Sequence, residues 1–153
     1  MIPITPPHSD TPPTETIVAR IRTNAAAHPE QVALVCGDTS VTWGAFDRRI
    51  NRIANLLLAK GLRKGDNIAV ISANSIAYAE LFMGILRAGG CVTPLSSMAS
   101  PDALQKMLTD CGAKAIFVAQ QYLDLVSRPM TPLWRARRTV IRWSQLKCRM
   151  RST

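Results

Sequence analysis

Residues 67–95, NIAVISANSIAYAELFMGILRAGGCVTPL, decide the fold of this chain. The continuous apolar run from Asn67 to Ser72 predicts a buried strand. Ser75, with the asparagine before it, can cap a helix from Ile76 to Arg87 that is apolar almost all round. The glycine pair that follows ends this helix, and Cys91 to Leu95 predicts a second strand. This order, with connections of a few residues, predicts parallel strands joined by a helical crossover.

The pattern continues toward the C-terminus. Ser100 is placed to cap a helix that has Pro101 at its first position and runs through Asp110. Lys114 to Ala119 then predicts another strand. We therefore expect an α/β fold with a partial, parallel-rich sheet and crossover helices.

Toward the N-terminus, Glu15 to Ala27 predicts a short amphipathic helix, with His28 as a helix-end residue. Val32 to Cys36 and Ser40 to Trp43 predict two antiparallel strands joined by a Gly-Asp turn.

A second amphipathic helix follows, and a left-handed cap at Gly61 ends it. Its apolar stripe consists of Phe46, Ile50, Ile53, Ala54, Leu57 and Leu58, and we expect Asp47, Arg48, Arg49, Arg52 and Lys60 to face water.

Charge divides the chain into three parts. The formal net charge is +9, but residues 1–127 carry 11 bases and 10 acids, whereas residues 128–153 carry eight bases and no acid. Residues 1–14 contain five prolines and predict a disordered leader, residues 15–127 predict one folded unit, and residues 128–153 form a basic tail. Neither a secretion signal nor a transmembrane segment is apparent, so we expect a cytoplasmic protein.

Residue types that support catalysis are sparse. Cys36, Cys91, Cys111 and Cys148 lack the close spacing of zinc or redox sites, so we expect reduced thiols. The histidines, His8 and His28, lie in or beside the leader, which argues against Ser-His or Cys-His catalysis. No glycine lies in a Gly, Ser, Thr and Lys-rich loop of the kind that cradles phosphates. The loop from Ser96 to Ser100 follows a strand and is the best-placed candidate for ligand contact.

Three segments carry a pattern in a fixed order: Val41 to Phe46, Ala54 to Val70 and Gly84 to Leu95. Read together, they resemble the N-terminal part of the adenylate-forming, AMP-binding superfamily, particularly its acyl-CoA synthetases. Val41 to Phe46 (VTWGAF) is similar to the family's Leu-Thr-Tyr-x-x-Leu core. Ala54 to Val70 resembles its Ala-x-x-Leu, Gly, Gly-Asp, Val-Ala progression. Gly84 to Leu95 resembles its Leu-Lys-Ala-Gly motif followed by a Val-Pro strand. The resemblance covers residues 15–126.

This resemblance implies a two-step ligase, in which a carboxylate attacks ATP to give an acyl adenylate and a thiol such as CoA then displaces AMP. ATP, Mg²⁺ and CoA are implied for the intact family enzyme. The family's phosphate loop, acidic residues and catalytic lysine lie downstream of the matched part, so no catalytic, cofactor-binding or metal-ligating residue is assigned here. We expect this chain to be inactive alone and to bind no cofactor by itself.

The positions that match the family have mainly structural interpretations. Trp43 and Phe46 are expected in the core, although they could line an acyl pocket. The Gly89-Gly90 pair is expected to let a helix end close against the sheet, and Pro94 to fix a strand exit. Lys106 could approach the nucleotide end of CoA, but a solvated lysine is the simpler interpretation.

The tail leaves two interpretations open. Its composition favours a truncated or frameshifted product whose residues after Ser127 are out of frame and disordered. Alternatively, a basic amphipathic helix could bind an acidic membrane surface, nucleic acid or protein, with Ala136, Val140, Trp143, Leu146 and Met150 on its apolar face.

Three hypotheses for the function follow. The chain is an inactive N-terminal portion of an acyl-CoA synthetase, a split subunit that binds a separate polypeptide carrying the missing catalytic part, or a basic-tailed adaptor. Under the first two, exposed sheet edges predict self-association.

Overall fold

The computed structural model describes residues 15–127 and 139–142. The elements are, in chain order, α1 (Ile17–Ala27), β1 (Val32–Cys36), β2 (Thr39–Thr42), α2 (Trp43–Ala59), β3 (Asn67–Ile71), α3 (Ile76–Arg87), β4 (Cys91–Pro94), α4 (Pro101–Asp110), β5 (Ala115–Val118), a 3₁₀ turn (Gln120–Tyr122), α5 (Leu123–Ser127) and β6 (Thr139–Arg142). The proline-rich leader, residues 1–14, lies outside the described residues.

The main sheet has the strand order β4-β3-β5-β6, and every neighbouring pair is parallel. This confirms the predicted α/β fold with crossover helices. The sheet alternates its side chains between two apolar layers, because successive residues of a strand point to opposite faces. Ile68 and Val70 pack with α2 and α3 on one face, whereas Ala69 and Ile71 pack with α4 and α5 on the other.

The predicted hairpin is also present. Strands β1 and β2 pair in antiparallel fashion, with an irregular register between Val32 and Leu34. Gly37 has a φ of 56°, a left-handed conformation that glycine adopts at little cost in the tight turn between the two strands.

Helix α2 buries most of its predicted stripe. Phe46, Ile50, Ile53, Ala54 and Leu57 are all buried, and each large side chain contributes roughly 1.5–3 kcal/mol by leaving water. Leu58, predicted in this stripe, is instead 50% exposed, because it lies outside the face of α2 that packs against the core. Asp47 was expected to face water, yet only 16% of its side chain is exposed, since it pairs with Arg87 of α3.

The basic tail differs from the prediction of disorder. Residues 139–142 form β6, which pairs with β5 from Ala115↔Thr139 to Val118↔Arg142. The physical reason is that Thr139, Val140 and Ile141 are β-branched and suit a strand beside β5. The strand also excludes a continuous amphipathic helix through these positions, and the rest of the tail lies outside the described residues.

Candidate functional site

The carboxyl ends of the parallel strands meet at one edge of the sheet. Three described loops lie there: residues 72–75 after β3, 95–100 after β4 and 119–122 after β5. From β3 the chain continues to β4 on one side of the sheet, and from β5 it continues to β6 on the opposite side. The order of strands therefore reverses between β3 and β5, and open α/β sheets bind ligands at such a topological switch point. We call these three loops the carboxyl-edge loops.

Small polar side chains dominate the carboxyl-edge loops. The Ser72 hydroxyl donates to the Ala73 carbonyl over 2.9 Å, and Ser96 Oγ accepts from the Met98 N–H over 3.2 Å. Hydrogen bonds from the Gln121 and Ser97 side chains lower the pKa of the Tyr122 phenol, against a smaller opposing effect of burial. The bond between Tyr122 and Ser97 joins the loop after β5 to the loop after β4. The structure thus places part of the predicted Ser96 to Ser100 loop at the switch point.

Two helices begin at this same edge, and serine side chains cap both. Ser75 Oγ accepts from the Tyr78 N–H over 3.1 Å, and Ser100 Oγ accepts from the Ala103 N–H over 3.3 Å. Both predicted caps are therefore confirmed. Because each hydroxyl already satisfies a first-turn N–H group, fewer donors remain for an anion.

The carboxyl-edge loops do not fit a nucleoside triphosphate. Their sequences, SANS, LSSMAS and AQQY, contain no lysine or arginine to neutralise phosphate charge. Within residues 15–127 and 139–142, no group of three His, Cys, Asp or Glu side chains could hold a metal ion. These loops can contribute neutral hydrogen-bonding groups, and no ATP- or Mg²⁺-dependent step is derived from them.

The aromatic residues proposed for the core or an acyl pocket lie at the start of α2. Phe46 is buried, and its ring meets the ring of Trp43 edge to face with centroids 6.5 Å apart. Both residues pack in a cluster with Val41 of β2 and Ile50 of α2. This arrangement agrees with the core interpretation.

The glycine pair after α3 closes the helix against the preceding loop. Gly89 has a φ of 81°, and its carbonyl accepts the Gly65 N–H over 2.8 Å. A Cβ on Gly90 would stand 3.2 Å from the Asp66 carbonyl oxygen and 3.1 Å from the Ile85 side chain. Gly89 thus provides the left-handed turn and Gly90 the close approach, and these contacts are made with the loop before β3, whereas the sequence predicted closure against the sheet.

Lys106 lies on the exposed face of α4. It lines a shallow groove of about 340 Å³ together with Asp102, Gln105, Thr109 and Asp110, all from the same helix. Two carboxylates in the lining oppose the binding of a nucleotide phosphate, so this geometry favours a solvated lysine.

The three described cysteines are free thiols, and His28 lies at the end of a helix. Cys36 and Cys91 are exposed, Cys111 is partly buried, and none of the three is in a disulfide. His28 caps the C-terminus of α1 through its N–H bond to the Asn24 carbonyl, as predicted. Cys148 and His8 lie outside the described residues.

The sequence analysis missed two ion pairs between α2 and α3. Arg87 Nη1 lies 2.6 Å from Asp47 Oδ1 and 2.8 Å from Asn51 Oδ1, and its Nη2 donates to the Val18 carbonyl over 2.9 Å. The sequence did contain a signal for them, because a charged residue in an otherwise apolar helix needs a partner when it is buried.

The second pair joins Glu80 and Arg49. Glu80 is 3% exposed, and its Oε1 lies 2.7 Å from Arg49 Nη1. Arg49 was expected to face water, and 46% of its side chain is indeed exposed while its end group reaches the buried carboxylate.

The family model described as "AMP-binding enzyme" matches residues 21–149. The chain is 30% identical over 108 residues to a medium/long-chain-fatty-acid–CoA/3-oxocholest-4-en-26-oate–CoA ligase of Mycobacterium marinum, covering 69% of this chain and 20% of the ligase. It is 29% identical over 115 residues to gramicidin S synthase 2 of Brevibacillus brevis, covering 75% of this chain and 3% of that synthase. Among solved structures, the Mycobacterium tuberculosis fatty acyl CoA synthetase superposes with a TM-score of 0.78 at 25% identity, covering 90% of this chain and 28% of that one.

These matches agree with a parallel α/β sheet that begins an adenylate-forming enzyme fold. The chain belongs to the AMP-binding enzyme family. It spans about a fifth of the length of the matched ligase. The family match continues to residue 149, so it includes most of the tail, whereas the sequence analysis ended the resemblance at residue 126.

No helix in the described residues is both long and apolar enough to span a membrane.

Proposed function

We propose that this chain supplies the N-terminal portion of an ATP-dependent, AMP-forming acyl-CoA synthetase, which converts a carboxylic acid to a CoA thioester through an acyl adenylate. The observation that carries the proposal is the family match over residues 21–149. The similarity to a fatty-acid–CoA ligase and to a fatty acyl CoA synthetase supports a carboxylic acid as substrate and CoA as acceptor.

The chain's role in this proposal is architectural. Adenylate formation requires charge stabilisation on the α-phosphate and the leaving pyrophosphate. The carboxyl-edge loops offer serine, asparagine, glutamine and tyrosine side chains but no cation. We therefore propose that the chain positions one wall of the site and that the phosphate-binding groups come from the rest of the family fold.

ATP-pyrophosphate exchange with a panel of fatty and aromatic acids tests the chain alone. We expect no exchange above the enzyme-free background, because the carboxyl-edge loops contain no lysine or arginine to neutralise a triphosphate. Acid-dependent exchange by the purified chain would refute the proposal that it is inactive alone.

A chimera tests the enzymatic assignment. In the M. tuberculosis fatty acyl CoA synthetase, the portion that superposes on this chain is replaced by this chain's sequence, and exchange and thioester formation are measured. We expect both activities to persist, because the superposition covers 90% of this chain. A chimera that is folded by circular dichroism but lacks both activities would contradict the assignment.

A further inference from the structure

The carboxyl-edge loops leave the main sheet toward opposite faces. Residues 72–75 lead from β3 to α3, which packs against one face of the sheet. Residues 95–100 lead to α4 and residues 119–122 lead to α5, and both of these helices pack against the other face. Loops that diverge in this way at a switch point leave a crevice between them. The crevice therefore has the loop after β3 on one side and the loops after β4 and β5 on the other.

The loops after β4 and β5 begin on either side of β3. Strand β3 pairs with β4 along one edge and with β5 along the other, so the ends of β4 and β5 are two strand spacings, about 9.5 Å, apart. Backbone hydrogen bonds fix the start of each loop to β3. The Leu95 N–H donates to the Val70 carbonyl over 2.9 Å, and the Ala119 N–H donates to the Ile71 carbonyl over 2.9 Å. Farther from the strands, a connection between the two loops has to span this distance through side chains.

Tyr122 makes such a connection. Its N–H donates to the Ala119 carbonyl over 2.9 Å. Its half-buried ring packs against the same apolar layer as Leu95 and Ala99, which precede and follow Ser97 in the loop after β4. Its hydroxyl is hydrogen-bonded to the Ser97 side chain. The apolar layer thus anchors the ring, and the hydroxyl joins the two loops across the end of β3. We call this contact the Ser97–Tyr122 bridge.

We propose that Tyr122 is a positioning residue, which holds the loop after β4 along one side of the crevice through the Ser97–Tyr122 bridge. Its consequence for the reaction rests on the proposed function. The carboxyl-edge loops have no charged side chain, so their contacts with a substrate change little as charge develops on the α-phosphate. Such contacts stabilise the bound substrate and the transition state alike. Loss of the bridge therefore raises KM and leaves kcat nearly unchanged.

The ionisation of Tyr122 tests the bridge in the full chain. The chain has two tyrosines, so a Tyr78→Phe background leaves one phenol, which is titrated through the ultraviolet absorbance of tyrosinate. Hydrogen bonds from the Gln121 and Ser97 side chains lower the pKa of Tyr122, because they stabilise the phenolate. Ser97→Ala should therefore raise this pKa. Ser72→Ala, the same substitution on the opposite side of the crevice, should leave it unchanged. An identical pKa with and without the Ser97 hydroxyl would overturn the proposal.

Hydrogen exchange, measured by mass spectrometry on the full chain, tests whether the bridge holds the loop. Tyr122→Phe keeps the ring in the apolar layer and removes the hydroxyl. The amides of residues 95–100 should then exchange about three- to tenfold faster, the effect expected for the loss of one hydrogen bond. Tyr78→Phe is the matched control, because it removes the other phenol hydroxyl, on α3, and should leave these rates unchanged. Unchanged exchange in Tyr122→Phe, or an equal increase in both variants, would refute the positioning role.

The chimera with the M. tuberculosis fatty acyl CoA synthetase measures the consequence for the reaction. In this chimera, Tyr122→Phe should raise KM for ATP or for the carboxylic acid by about three- to tenfold and leave kcat within about twofold. Tyr78→Phe should change neither constant. A Tyr122→Phe chimera with both KM values unchanged would contradict the proposal. If the chimera without these substitutions is inactive, the proposed function fails, whereas the titration and the exchange rates still decide whether Tyr122 holds the loop.

Discussion

Gly84→Ala tests the contact between α2 and α3 on which the first apolar layer depends. Gly84 is buried in the middle of α3. A Cβ at this position would overlap Ile53 Cγ2 and lie 2.7 Å from Ile53 Cβ. Ile53 is itself 2% exposed, and its Cβ is fixed to the α2 backbone, so the clash cannot be relieved by turning a flexible side chain.

Two effects of opposite sign determine the size of the change. Alanine is favoured over glycine within a helix by about 1 kcal/mol. Overpacking a well-filled interior costs typically about 1–3 kcal/mol, and the overlap with two atoms of Ile53 places this contact at the upper end of that range. We therefore expect Gly84→Ala to lower the free energy of unfolding by about 1–2 kcal/mol, despite its better helix propensity.

Urea denaturation, followed by circular dichroism, measures this difference. Ile53→Ala supplies the control, because it removes the Cγ2 atom that is closest to the new methyl group. In that background, Gly84→Ala should cost less than in the native chain, because only the overlap with the Cβ atom of residue 53 remains. A stabilising effect of Gly84→Ala in the native background would show that the helices are not packed as closely as the structure indicates.

Two further substitutions probe polar and backbone features of the same layer. Arg87→Met should lower the free energy of unfolding by roughly 3 kcal/mol, because it removes the ionic partner of Asp47, whose side chain has little access to water. Asp47→Asn should lower this free energy by less, because it keeps a hydrogen-bond acceptor for Arg87. Equal losses for the two variants in urea denaturation would argue against the ion pair. Gly89→Ala should lower the free energy of unfolding by about 1–2 kcal/mol, because Gly89 has a φ of 81°, a left-handed conformation that alanine adopts only with strain. Gly89→Asn should lose less, because asparagine tolerates this conformation better. Thermal melts that show no difference between the two variants would contradict the argument from φ.

The elements from residues 15 to 119 were predictable because each combines an apolar period or a continuous apolar run with a clear stop signal. Helix α3 matched its predicted bounds, since Ser75 and the glycine pair define both ends. The tail gave no such signal. Strand β6 is only four residues long and lies within a run of bases, and its stability derives from pairing with β5, a contact that local sequence does not record.

The ion pairs were missed for a related reason. Asp47 and Arg49 are polar residues on an amphipathic helix, and period alone assigns such residues to solvent. Glu80 lies 31 residues after its partner Arg49, and Arg87 lies 40 residues after its partner Asp47. Only the packing of α3 against α2 brings these opposite charges together. The apolar character of α3 was itself the clue, because its two charged residues had to be paired.

The three cations nearest the strands of the main sheet lie away from its carboxyl edge. Lys64 precedes β3 and Lys114 precedes β5, so both lie at the amino edge of the sheet. Arg87 is held by Asp47 between the helices. These three cations therefore lie away from the carboxyl-edge loops, whose side chains carry no charge. Under the proposed function, a triphosphate at this edge would need groups outside these loops to neutralise its charge, and the loops themselves would supply only neutral hydrogen-bonding groups.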